Sequence, residues 1–148
     1  GLQDLAFSEF SEYEKVLDSK IENISIISEK LLSNVDFAKV KTIRNRNFNF
    51  FRKEFNEINT IEINDNEEDC FCYPLLLENP INISKLHSNK IFIPSYWKDT
   101  IVRENKDLYE FECKLSNELL PLPIDHRYSL KDLKRVTALI KKLQKKNG

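Results

Sequence analysis

From Phe10 onward the apolar residues fall at Tyr13, Val16, Leu17, Ile21, Ile24, Ile27, Leu31 and Val35, in steps of three and four. That spacing predicts one long helix with a single buried stripe, and Ser11 with Glu14 suits a capping box near its start. Asn34 and Asp36 punctuate its end, and Asp36 can cap the next helix. The second helix is expected from about Phe37 to Ile58, with Val40, Ile43, Phe51, Phe55 and Ile58 on one face. Its basic residues Lys39, Lys41, Arg44, Arg46, Arg52 and Lys53 should lie mostly elsewhere on its surface, as a solvated or ion-paired face.

Beyond Ile58 the helical period stops. Thr60 to Ile63 reads as a short strand, 64–69 as a polar turn, and Cys70 to Leu77 as a second strand. Pro74 has no N–H to give a ladder, so it belongs at an edge, a bulge or a strand end. Asn79-Pro80 opens a short helix through Leu86, and Asn89 is expected to end it in the left-handed conformation. Lys90 to Ile93 is a third strand, stopped by Pro94. Asn105 to Leu119 is helical, with Leu108, Phe111, Leu115 and Leu119 on one side, and 120–124 is extended. Ser129 and Asp132 cap a last helix carrying Leu130, Leu133, Val136, Ile140 and Leu143, with lysines toward its negative end. The whole is expected to be α+β, with helices over a small, largely antiparallel sheet.

Composition narrows the functions. The chain has 148 residues, 41% hydrophobic and 32% charged, enough for one ordinary domain with a heavily solvated surface. Its net charge of −1 argues against a dedicated nucleic-acid binder. The only glycines are Gly1 and Gly148, so no phosphate-cradling P-loop or dinucleotide fingerprint is present. An apolar run of the roughly 20 residues that span a bilayer is missing from the sequence. A start at Gly-Leu-Gln without methionine, together with an odd number of cysteines, leads us to expect a cytosolic fragment of a longer protein.

Candidate chemistry is sparse. Cys70 and Cys72 flank one residue and could share a side of a strand, but Cys113, His87 and His126 are far off in sequence. A metal site would want another close pair, so core thiols are the preferred reading. Asp125-His126-Arg127-Tyr128 precedes a helix start; it is either an acid–base pair or, as we prefer, turn and cap chemistry. Ser95-Tyr96-Trp97 follows the third strand and holds the only tryptophan. Aromatics with polar tips at a strand end shape a pocket mouth or an interface, and core packing of Trp97 is the alternative. No catalytic residue and no metal ligand set is assigned.

Taken together, Tyr73-Pro-Leu-Leu-Leu-Glu78, Leu86 through Trp97, Leu115 through Asp125 and Leu133-Lys-Arg-Val136 resemble a known pattern. It is that of the C-terminal small domain of the DegT/DnrJ/StrS sugar aminotransferases, fold-type I pyridoxal-phosphate enzymes. Arg44-Asn-Arg-Asn47 resembles the arginine–asparagine signature of the preceding helix. Asn89-Lys90-Ile91 stands where the family often has glycine-isoleucine, and the loop at Ser95 to Lys98 lacks the histidine of many sugar-processing members.

The resemblance implies a single small domain over 1–148, with 1–35 a lead helix and 36–148 an αβ body. It implies a parent that moves an amino group from glutamate to a keto-sugar nucleotide for surface polysaccharide. Pyridoxal phosphate, its Schiff-base lysine and its phosphate pocket would belong to the large domain of the same chain, so this segment alone should be inactive. The implied partners are that large domain, a second copy in a homodimer, and the sugar-nucleotide substrate, with neither nucleic acid nor membrane. Tyr96 and Trp97 are the expected cleft-facing residues and Arg127 an anion-binding one. The competing expectation is a non-catalytic interaction module derived from the same family.

Overall fold

A computed structural model of the chain describes residues 9, 10, 12, 13, 16, 23–64, 70–97 and 108–145. The chain divides into two compact units, Gly1–Val35 and Asp36–Gly148.

In the first unit, residues 9, 10, 12, 13 and 16 are helical, while Ser11 and Glu14 of the expected capping box lie outside the described residues. One continuous helix to Val35 is not what forms. Residues 23–25 are non-helical, and a fresh helix α1 runs Ile26–Ser33. Ser25 starts it in extended conformation, its hydroxyl accepting from the Ser28 N–H. A serine that offers the backbone this local bond favours a cap over a helix interior. The expected buried stripe is also corrected: Ile24, Ile27, Leu31 and Val35 are all exposed, and α1 buries nothing. Periodicity tells which face would be covered, not whether anything covers it.

In the second unit Asp36 caps α2 (Phe37–Phe55) through the Lys39 N–H at 2.9 Å. Residues 56–58 form a turn rather than the last helical turn, and Ile58 is exposed. The inner face of α2 is Asn47, Phe48, Phe51 and Phe55. It packs on β1 (Cys72–Leu75) and on α5 (Leu130–Gln144). Tyr73 at the centre of β1 meets Phe48, Phe51 and Phe55 at ring-centroid distances of 5.3, 6.0 and 6.4 Å. Leu75, Leu120, Leu122, Leu133 and Ile140 complete the centre of the core.

β1 pairs antiparallel with β2 (Leu120–Pro123), and these two strands are the whole sheet among the described residues. Its register shows how a Leu-Pro-Leu-Pro sequence forms a strand. Pro74 faces Pro121, and Pro123 faces Cys72. All three prolines share one parity, that of the pairs exchanging no ladder bonds, so Tyr73, Leu75, Leu120 and Leu122 supply the donors. The proline nitrogens then point to the outer edges, where they block further pairing.

The two other expected strands are absent. Near Thr60 only an isolated bridge between Asn59 and Leu77 remains. The Asn59 side chain takes the bonds a strand would need: its amide donates to the Pro74 carbonyl at 2.9 Å and its oxygen accepts from the Leu76 N–H at 3.0 Å. Residues 91–93 keep strand alternation, with Ile91 and Ile93 buried and Phe92 exposed, but pair with no strand among the described residues.

The short helix α3 (Ile83–Ser88) begins later than expected, capped by Asn82. At its end Asn89 has φ −95°, and the left-handed residue is Lys90, at φ 58°. Lys90 N–H donates to the His87 carbonyl at 2.8 Å and Ile91 N–H to Leu86 at 3.0 Å. This is a Schellman closure, with buried Leu86 and Ile91 as its hydrophobic contact. A fourth helix, α4 (Glu110–Glu118), leads into β2; its expected start at Asn105 and the polar turn at 65–69 lie outside the described residues. Leu108 and Phe111 are exposed, not packed. Ser129 and Asp132 form the expected capping box of α5. The described body is thus α+β, and no described helix is long and apolar enough to cross a membrane.

Candidate functional site: an aromatic and arginine cleft

Four segments converge beside the sheet. α2 contributes Arg44, the approach to β1 contributes Phe71, the extended 91–97 segment contributes Tyr96, and the β2–α5 connection contributes Asp125, Arg127 and Tyr128. They line a cleft of about 190 Å³, which suits one small group rather than a whole cofactor.

The connection is held from below by Asn47, which is wholly buried. Its amide nitrogen donates to the carbonyls of Ile124 and Asp125 at 3.2 and 3.1 Å, while its oxygen accepts both Nε and Nη2 of Arg46. The arginine–asparagine run therefore positions the loop that carries Arg127. Arg44, expected on the helix surface, instead turns inward. Its Nη2 donates to the Cys70 carbonyl at 2.6 Å, and the guanidinium carbon sits 5.8 Å from the Phe71 ring centroid. Its Nε is buried with no partner, an unused donor beside the cleft.

Of the three expected contact residues, Tyr96 and Arg127 line this one cleft. Trp97 does not line it. It is 64% exposed, which removes the core-packing alternative, and its ring lies 5.6 Å from that of Tyr96. Trp97 also has φ 53°, unusual for so bulky a residue. Phe71 joins the cleft without a sequence signal, since it sits between two thiols and reads only as strand; Tyr128 reads in sequence only as part of the polar turn before α5.

The electrostatics favour binding over covalent chemistry. Arg127 donates through Nε to Asp125 Oδ1 at 2.8 Å, and this bond foremost holds the Asp125 carboxyl below its ordinary range. Asp125 Oδ1 also accepts the Arg127 N–H, which is turn chemistry. His126 Nδ1 lies 3.5 Å from Asp125 Oδ1 on the exposed side, and the carboxylate is already engaged, so the pair is not a free acid–base dyad. Burial raises the Cys72 thiol, reinforced by Cys70 and opposed by Arg44. Burial likewise raises the Tyr96 hydroxyl, with a contribution from Cys72. Both stay protonated at neutral pH as weak nucleophiles. Cys70, Cys72 and Cys113 form no disulfide, and no group of three or more metal-ligating side chains occurs among the described residues.

Comparison with known proteins adds no identity: no family model, curated protein or solved structure matches this chain.

Proposed function

We propose that this chain works in the cytoplasm as the closing, substrate-contacting small domain of a pyridoxal-phosphate aminotransferase of the DegT/DnrJ/StrS type, and has no turnover of its own. The reading rests on one observation beyond the resemblance: Tyr96 and Arg127, both named as contact residues through that resemblance, line a common cleft with Arg44. The Arg44 and Arg127 guanidiniums suit one phosphate of a keto-sugar nucleotide, with the tilted Phe71 and Tyr96 rings beside that contact. Glutamate would be the amino donor and surface polysaccharide the destination. Pyridoxal phosphate carries out the electron-sink chemistry of transamination in such enzymes. Among the described residues the cleft is lined by no lysine, so these residues do not fit the reactive end of that cofactor. What they do is bind, orient and exclude water, with the cofactor on a large domain of the parent chain and a homodimer as the assembly.

Trp97, the only tryptophan, is a built-in reporter next to Tyr96. Titration with a uridine diphosphate sugar should change its fluorescence saturably, and Arg127→Ala should weaken the response about tenfold or more, the loss of one charge-assisted contact. No response, or an unchanged one in the variant, removes the proposal. Adding pyridoxal phosphate to the chain alone should give no visible band of lysine-bound cofactor.

A second reading, a protein-interaction module, is favoured by the apolar side chains Ile27 and Leu31 that α1 leaves 73% and 67% exposed. Sedimentation would then show mass rising with concentration, and Ile27→Glu with Leu31→Glu would abolish the rise.

A further inference from the structure

A second concavity lies between α5 and the segment after α3, and nothing in the proposed function uses it. Its floor is apolar, from Ile91, Leu133, Val136 and the ring of Phe92, and its volume is about 180 Å³. Phe92 is 70% exposed and stacks on His87 at 5.5 Å, so one wall is an aromatic face presented to solvent. The rim is cationic. Lys90 and Arg135 both border it, and Asp132 beside them accepts the Ser129 N–H and hydroxyl at Oδ2, so the rim carries one net positive charge.

Lys90 is the unusual member. It occupies the left-handed position that closes α3, where glycine carries no steric penalty and asparagine a small one. Asn89 stands one residue earlier and does not take it. The helix closure would form as well, or better, with glycine, so the backbone gives no reason for a lysine. The side chain has one: from this position it borders the pocket mouth. Arg135 reaches the same rim from α5, donating through Nη2 to the carbonyl of neighbouring Asn89 at 2.8 Å.

We infer that this pocket binds a small organic carboxylate carrying an aryl or branched alkyl group, the apolar part against Ile91, Phe92, Leu133 and Val136 and the carboxylate toward Lys90 and Arg135. The size of the pocket admits one such group and not a nucleotide. The rim charges select the anion over its neutral analogue. This inference stands apart from the reading of the first cleft and does not need it.

The test uses 3-phenylpropionate and its neutral amide, titrated into the chain and followed by amide-resolved NMR. The acid should bind with a dissociation constant on the order of 1 mM, as expected for a fragment-sized ligand. Shifts should concentrate at residues 90–92 and 133–136, and the amide should bind about fivefold more weakly, the worth of an exposed ion pair. The decisive variant is Lys90→Gly, which removes the cation and relieves the backbone at once. It should melt about 3 °C higher than the parent while losing the preference for acid over amide. Equal binding of acid and amide by the parent overturns the inference, as do shifts centred elsewhere or absence of binding at tens of millimolar. So does a Lys90→Gly chain that keeps its preference or melts lower than the parent.

Discussion

Two buried polar side chains in the body differ in whether their bonds are made, and this sets opposite expectations for their removal. Asn47 is fully buried and satisfies the Ile124 and Asp125 carbonyls. Asn47→Ala leaves those carbonyls and the Arg46 guanidinium without their partner. It should cost about 2–3 kcal/mol in denaturant unfolding, and it should disorder the loop bearing Arg127. Thr137 is also buried, but its hydroxyl has no partner. Thr137→Val keeps the shape and removes the unsatisfied group, so it should stabilise by about 1 kcal/mol. If Thr137→Val destabilises, the hydroxyl has an acceptor that the geometry does not reveal. Neither outcome can be read from residue type, because an asparagine and a threonine on helix faces look alike in sequence.

Elements carry their own electrostatic signature. Asp132 in the capping box of α5 is held below its ordinary range by the Ser129 hydroxyl and N–H, and Asp125 by Arg127. A carboxyl lowered in the folded state stabilises it above the unfolded value and loses that contribution as pH falls through the folded value. Stability should therefore decline below about pH 4, and Asp132→Asn should flatten that limb while costing stability at neutral pH. Ser129→Ala should cost about 1 kcal/mol, the usual loss of a cap. The opposite sign applies to the Cys72 thiol, whose raised value lowers stability above roughly pH 8.5. A melting-temperature profile across both limbs checks these signs.

At the scale of the molecule, among the described residues, the buried hydrophobic core runs from Phe48 onward. A chain limited to 36–148 should accordingly unfold in one cooperative transition, within about 2 °C of the full chain; a broad, non-cooperative melt would show that the core is incomplete without residues 1–35. Across α2 and α5, the Lys141–Glu54 pair at 2.7 Å is partly exposed and adds at most about 1 kcal/mol to an association that aromatic burial dominates.

The local order of helices was legible where a cap and a period agree. Asp36 opens α2, and Ser129 with Asp132 opens α5. The α+β class could also be named from the residues in line. Capping bonds act within a few residues, so they can be read along the chain. Long-range pairing decided the rest. Asn59 took the bonds of an expected strand, Lys90 rather than Asn89 took the left-handed turn, and Arg44 turned in from a face that looked solvated. Each depends on a partner distant along the chain or on the turn a neighbour accepts. Only the tertiary structure could show that two scattered arginines and a tyrosine meet, because contact between remote residues is a property of the packed whole.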